Sequence, residues 1–427
     1  MQRILIKNLG EKSGEEVKIL GRVINTRKLG NISFVLVQDY TGAVQTVWEM
    51  EINAKVGDAI EINGEVKAEE RAKGGIEIHG KDIKIISTSI EELPFDLAKP
   101  NLNLQLTTLL DHRPLSLRHP KVQAIFRLYD LLLKNYDLAM REENFTEIKT
   151  PKLLEVASEG GANFFKINYF EKTAYLAQSP QFYKQIMVGV FERVFEIGPV
   201  FRAEPHFTTR HVNEYISLDA EMGFIENFTD VMKMFNKVLR KIFENIGEEG
   251  GEYLKIYGVE ISEVPENIPS IKLSEIKKII KEKYGYEVPK ETDINPEGER
   301  LAGRYAKEEF NSDFIFITHY PWSDRPFYTM PDSDNPEETY GFDLLFKGLE
   351  IATGAQRIHL YDQLVENMKK KGVHSSGMEF YLDIFKFGMP PHGGWGLGSE
   401  RIIQQILGLE SIKEAVLFPR DVKRLSP

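Results

Sequence analysis

The sequence predicts an α+β protein: a small N-terminal β-barrel, then a larger domain of antiparallel sheet with flanking helices. Three observations carry that prediction. Residues 17–86 hold five short β-like runs with no long helix among them. Apolar–polar alternation on both sides of Phe201–Glu221 (Val194 and Glu196 before, Ile216 and Leu218 after) marks two strands joined by a polar loop. Val122, Ile125, Phe126, Tyr129 and Leu132 recur at three and four, the spacing of an amphipathic helix.

Composition bounds the class. A chain of 427 residues has room for two or more domains. A hydrophobic share of 42% with 28% charged residues is that of a soluble globular protein. The net charge of −11 excludes a blanket of nonspecific nucleic-acid binding and leaves room for a local basic groove. With no cysteine, disulfides and thiolate metal sites are excluded; abundant Lys and Glu add a hint of a heat-adapted source. No run is long enough to span a bilayer, and "MQRILIKNLGEKSG" lacks the apolar core of a signal peptide, so a cytoplasmic protein is expected.

The five runs are "VKILGRVIN", "SFVLVQD", "AVQTVWE", "AIEINGEVK" and "GIEIHGKDIKII", separated by Gly- and Asp-rich turns. They suit a closed barrel of the oligonucleotide-binding kind. Arg22, Arg27 and Lys28 precede the Leu29-Gly30 turn. Phe34 follows it, as a stacking platform for an unpaired base, with Gln45 placed to read base edges. The competing placement for Phe34 is the barrel core. The first domain spans 1–98, and a Pro- and Asn-rich linker covers 99–118. The second domain runs over 119–427, with 227–325 as a helical and α/β insertion. Behind the helix, "TEIKTPKLL" reads as one strand in which Pro151 demands an edge or a bulge, and an edge strand there predicts a symmetric homodimer seam.

Several clusters point to chemistry. Arg202 offers a planar fork for phosphate and Glu204 an acceptor for an amine; a solvated hairpin with cross-strand ion pairs is the plainer account. Glu159-Gly160-Gly161 has the composition of a flap. In "LAQSPQFYK" a cap by Ser179 accounts for Ser179 and Pro180 but gives no reason for Gln181 and Lys184, which suit a small anion at a helix start. Asp343 and Glu350, on strands joined at Lys347-Gly348, are placed to face each other and hold Mg²⁺ beside phosphates, with Arg357 to clamp a carboxylate. Gly393, Gly394, Gly396 and Gly398 lead into a helix near Ser399 as a phosphate cradle, with Arg401 for a second phosphate.

These pieces, in this order, resemble a class II aminoacyl-tRNA synthetase. The Pro151 strand resembles its first motif, "FRAE…RH" its second and "GLGSER" its third, over essentially the whole chain. An N-terminal oligonucleotide-binding barrel is similar to the aspartate, asparagine and lysine subgroup. "QSPQFYKQ" resembles the aspartate enzymes, and "FPRD…RLSP" with the short insertion resembles the archaeal type.

The resemblance implies an ATP-dependent aspartate–tRNA ligase acting on tRNA(Asp), with tRNA(Asn) open as a second acceptor because Arg22 and Ile24 depart from the family pattern. It implies that Glu159, Ser179, Gln181, Lys184, Asp219, Thr353 and Arg357 bind aspartate together with Arg202. Arg202, Glu204, Arg210, His211, Val212, Tyr215, Glu350, Gly398, Ser399, Glu400 and Arg401 would bind ATP, with Arg202, Glu350 and Arg401 catalytic. Asp343, Glu350 and Thr353 would hold Mg²⁺, and Arg27, Phe34 and Gln45 would meet the anticodon. Rival readings are an asparagine–tRNA ligase on the same scaffold, which usually lacks the equivalent of Lys184; a non-catalytic RNA-binding paralogue, expected to lose some of Arg202, Glu350 and Arg401; and an asparagine-making relative, a kind that lacks the barrel.

Overall fold

Five strands close into a barrel in the first of two units, Met1–Gln123 and Ala124–Pro427, of a computed structural model that describes residues 1–72, 74–156, 163–205, 208–289 and 292–427. The strands are β1 (Glu16–Leu29), β2 (Ile32–Gln38), β3 (Ala43–Trp48), β4 (Ala59–Ala68) and β5 (Ile76–Ser87), in the order β1-β2-β3-β5-β4 with β4 returning to β1. Each expected run forms its strand. Alternate residues fill the interior: Val17, Ile19 and Val23, then Val35 and Val37, Val44 and Trp48, Ile60 and Ile62, and Ile78. Each such side chain withdrawn from water stabilises the barrel by about 1.5–3 kcal/mol, and closure leaves no strand edge open to another chain. The segment after the barrel carries two short helices, Leu106–Asp111 and Arg113–Ser116.

The second unit is built on an eight-stranded sheet. Its strands in chain order are β6 (Thr146–Glu147), β10 (Arg193–Phe201), β11 (Glu214–Gly223), β12 (Ser270–Lys272), β13 (Phe314–Thr318), β14 (Gly341–Phe346), β15 (Leu349–Arg357) and β16 (His392–Gly398). Between β6 and β10 in the chain, β7 (Leu153–Leu154), β8 (Lys166–Tyr169) and β9 (Lys172–Leu176) make a separate three-stranded sheet. The large sheet runs β12-β13-β14-β15-β16-β11-β10-β6. Its six central strands are antiparallel neighbours, while β12 on β13 and β6 on β10 pair in parallel. The run around Pro151 is not one strand. Proline has no N–H to donate, so pairing stops on either side of it, leaving β6 at the edge of the large sheet and β7 in the small one.

Helix Phe228–Glu249 begins at an Asn227–Asp230 capping box and buries Val231, Phe235, Val238, Ile242 and Ile246 at helical spacing. That stripe packs on Phe314, Phe316, Phe342 and Trp395 of the sheet, with the Phe235 and Trp395 rings stacked 4.9 Å apart. Residues 227–325 therefore are not an appendage to the sheet. They supply two of its strands and the helix that covers one face. On β11, Leu218, Ala220 and Met222 join this core. The alternate residues Ser217, Asp219 and Glu221 project from the opposite face, which is where the site lies.

Candidate active site

Beside β11 runs the glycine-rich strand β16, paired Asp219 to Gly396 and Glu221 to Gly394. The glycines that lead into helix Ser399–Leu407 belong to a central strand, because its Trp395 and Leu397 anchor it in the core while Gly394, Gly396 and Gly398 face the site. A Cβ on Gly394 would lie 2.0 Å from the Ala220 carbonyl oxygen and 2.4 Å from Glu221 Oε2. One on Gly396 would lie 3.3 Å from Asp219 Oδ1. The glycines make room for acids. Gly394→Ala is expected to lower stability by about 1–3 kcal/mol or more, and Gly396→Ala by much less. Thermal unfolding checks this, and equal midpoints for the two variants would contradict it.

Those acids hold two buried cations. Lys184, on helix Gln181–Phe191 and 2% exposed, donates to Asp219 Oδ1 (3.0 Å) and the Trp395 carbonyl (3.0 Å), and its Nζ is 3.4 Å from Glu221 Oε2. Arg357, at the end of β15, donates from Nε to Glu221 Oε1 at 2.9 Å and from Nη2 to the Gly394 carbonyl at 3.2 Å. Burial by itself would raise the Glu221 carboxyl; Arg357 and Lys184 outweigh it and hold the group below the ordinary range. Gln181 donates to Gln185 (3.0 Å), which in turn bonds the buried His392 (2.9 Å). Burial pulls His392 down to about 4, so it is neutral at physiological pH. Ser179 accepts from the Gln181 N–H at 3.3 Å, one residue ahead of the helix's own N-cap, Pro180, so the helix start has no side-chain cap of the kind the sequence suggests.

The other end of the site is set by the loop between β10 and β11. Its two ends are tied to each other: the Arg202 N–H donates to the Asn213 carbonyl (2.9 Å), and Asn213 Nδ2 donates to the Arg202 carbonyl (2.6 Å). That fixes Arg202 beside the Tyr215 ring (5.7 Å) and Glu204 (3.9 Å), with His211 3.5 Å from Glu204. Arg401, in the first turn of helix Ser399–Leu407, reaches the Glu350 carbonyl (2.7 Å) and carboxylate (3.3 Å). Arg210 pairs with Glu299, whose Oε2 also accepts from the Glu350 N–H at 2.9 Å. Asp343 and Glu350 do not sit opposite each other. Asp343 pairs with Thr353 and Leu345 with Glu350, and the bulge between them resets the alternation so that Glu350 and Thr353 share a face.

One cavity of about 350 Å³ is lined by Ser179, Gln181, Lys184, Arg202, Glu204, Arg210, His211, Val212, Tyr215, Asp219, Glu350, Thr353, Arg357, Gly398, Glu400 and Arg401. A second, of about 360 Å³, shares Arg210, His211, Glu350 and Arg401 with it and adds Asp343 and Glu299. Ser399 is fully buried and lines neither; it donates to the Ile216 carbonyl (2.8 Å), while Glu400 accepts from the Ile216 N–H (3.0 Å), so the pair fastens its helix to β11. Glu159 and the glycines beside it lie outside the described residues.

Arg325, Glu299 and Glu221 are the site residues that sequence patterns miss. Arg325 donates to Asp343 Oδ2 (2.8 Å) and Thr353 Oγ1 (2.8 Å), engaging two of the three expected metal ligands. The other Asp343 oxygen, Oδ1, is buried with no hydrogen-bond partner. Burial, with Asp343 and Glu299 nearby, pushes the Glu350 carboxyl above its usual range, although Arg401 and Arg202 oppose the rise. An orphaned acid oxygen beside a second carboxylate that resists ionising fits a hard cation. Among the described residues no three His, Cys, Asp or Glu side chains form a metal cage, so such a cation would share its ligands with substrate phosphates.

In the first unit, Phe34 points outward, away from the interior cluster, and Arg27 lies 4.8 Å over its ring. The barrel-core placement is thereby excluded. Gln45, on the neighbouring strand, donates to Glu77 Oε2 at 3.1 Å.

Comparisons with known proteins bear on both units. Residues 105–422 match the family described as tRNA synthetases class II (D, K and N), and residues 17–86 match the OB-fold nucleic acid binding domain. The chain is 43% identical over 425 residues to a protein of Thermus thermophilus named aspartate–tRNA(Asp/Asn) ligase, covering 100% of both. It is 45% identical to one of the same name from Aeropyrum pernix, covering 97% of this chain and 96% of that one. Among solved structures, asparaginyl-tRNA synthetase from Pyrococcus horikoshii with asparaginyl-adenylate superimposes with a TM-score of 0.92 at 30% identity over 100% of both chains. A putative aspartyl-tRNA synthetase from Leishmania major gives 0.91 at 29% identity, over 100% of this chain and 95% of that one.

Proposed function

Because the chain belongs to the class II aminoacyl-tRNA synthetases of the aspartate, lysine and asparagine group, we propose that it is an ATP-dependent aspartate–tRNA ligase. The observation that carries the choice of amino acid is the buried quartet of Lys184, Arg357, Asp219 and Glu221. Two cations and two anions sum to zero. When the ammonium of an incoming amino acid takes Asp219, the other three are left with one net positive charge. A side-chain carboxylate neutralises it and a carboxamide does not. That favours aspartate over the asparagine of the rival reading.

In the first step an α-carboxylate oxygen of aspartate attacks the α-phosphorus of ATP. The bond from that phosphorus to the bridging oxygen breaks, and pyrophosphate leaves. Arg202 bears on the α-phosphate, where charge gathers, and Arg210, His211 and Arg401 bear on the phosphates beyond it. Glu204 and Tyr215 take the adenine. Asp343, Glu350 and Thr353 would hold Mg²⁺, with Arg325 yielding its two contacts; when bound, the ion offsets phosphate charge. In the second step the terminal 3′-hydroxyl of tRNA takes the aspartyl group and AMP leaves. Phe34, with Arg27 above it, is the proposed stacking place for an anticodon base and Gln45 the reader of its edge. Both relatives named above are named for tRNA(Asp/Asn), so the proposal extends to tRNA(Asn). A homodimer working in the cytoplasm completes it, supported by the proline-interrupted edge at β6.

Purified protein should show ATP–pyrophosphate exchange with aspartate and not with asparagine, and should attach aspartate to tRNA(Asp) and tRNA(Asn) transcripts. Exchange driven by asparagine would overturn the choice of amino acid, and charging of tRNA(Asp) alone would remove the extension.

A further inference from the structure

A second cluster of arginines lies within the first unit. Arg22 stands on β1 in register with Gln38 of β2 and Ala59 of β4. Gln38 donates from Nε2 to the Arg118 carbonyl at 3.3 Å, which pins the segment after helix Arg113–Ser116 against the barrel and sets Arg118 beside Arg22. The two line a cavity of about 380 Å³ together with Arg3, Tyr40 and Ile86. Arg3 is occupied by the Leu20 carbonyl at 3.2 Å. Tyr40 is 59% exposed and Ile86 52% exposed, so an open apolar and aromatic wall stands next to the charges.

The balance of charge there is unusual. Among the described residues no carboxylate pairs with Arg22 or Arg118. Asp39 also lines the cavity, but its oxygens accept from the N–H groups of Ile6 (3.0 Å), Thr41 (2.7 Å) and Gly42 (3.1 Å). Arg118 is half-buried, and both its burial and the nearby Arg22 make its charge costlier. Two guanidiniums held together without an anion are relieved by an anion with oxygens to spare, and the planar forks of Arg suit phosphate.

We propose that Arg22 and Arg118 bind a backbone phosphate of tRNA, with the adjoining nucleoside against Tyr40 and Ile86. The proposal rests on tRNA as the substrate and adds a contact separate from Phe34. Arg22 and Arg27 are five residues apart on one strand, or roughly 17 Å, so this contact falls a few nucleotides from the stacked base. A phosphate contact positions the nucleic acid without reading its sequence.

The test uses the full chain with Arg22→Gln, Arg118→Gln and the double variant, checked by circular dichroism for unchanged folding. Binding of a tRNA(Asp) transcript is measured over a range of salt, beside a transcript with a changed anticodon. Each single variant should weaken binding of both transcripts by a similar factor and lower the slope of log Kd against log salt by about 1. Aspartate-dependent ATP–pyrophosphate exchange, which needs no tRNA, should be unchanged. Wild-type Kd and slope in the double variant would overturn the site while charging of tRNA(Asp) still upheld the ligase. A loss seen only with the cognate anticodon would overturn the phosphate contact in favour of base reading.

Discussion

Arg202→Ala should lower ATP–pyrophosphate exchange by about two to three decades, the usual cost of removing one preorganised donor from developing charge, and leave the fold intact. The first half follows from position. The guanidinium lines the cavity beside Tyr215 and Glu204, and its field reaches Glu350 on the facing hairpin. The second half follows from exposure. The side chain is 39% exposed and its ion pair with Glu204 is long, so little stability is lost with it. The contacts that shape the loop are made by the Arg202 backbone with Asn213, which alanine keeps. Exchange kinetics with a thermal melt check both halves. A variant that exchanges normally removes Arg202 from the chemistry, and one that melts early shows that the side chain holds the loop.

Lys184→Met should do two things at once. Met nearly matches the volume of Lys but leaves Asp219 and Glu221 with one cation between them, so folding stability should fall by about 3–5 kcal/mol, as when one partner of a buried pair is lost. Aspartate KM should rise by about one to two decades, from the loss of a charge-assisted hydrogen bond, while ATP KM stays near its starting value. In sequence order Lys184 and Arg357 read only as cations awaiting a small anion and a carboxylate. The geometry adds that Glu221 partners both cations before any substrate arrives. The double variant Lys184→Met/Glu221→Gln separates the effects. It should recover part of the stability and none of the aspartate affinity. Recovery of both would mean that Lys184 serves the fold and not the substrate.

The difference between those two accounts shows what could be read from residues in order. The barrel was legible because alternation along a strand is a local signal, and the five runs carry it plainly. The hairpin of β10 and β11 was legible for the same reason. Strand β16 was not, because four glycines in seven residues carry no alternation and resemble a loop. Their purpose shows only in the register that sets Gly394 against Glu221. Glu221 itself stands two residues from Asp219, yet its partner Arg357 is 136 residues away. Arg325 and Glu299 lie in a stretch that reads as an insertion, and nothing local in that stretch marks them as neighbours of Asp343 and Arg210. Helix and strand are written in nearby spacing; a site assembled across a sheet is written in distant pairings.

Strand β16 has a consequence for anyone who would alter this pocket. Where it passes under the cleft, a ligand meets bare peptide rather than interchangeable side chains. Directed evolution toward another amino acid would find no useful variation along that strip. Productive libraries would diversify the walls instead, at Gln181, Tyr328 and Thr329, and keep the glycines constant.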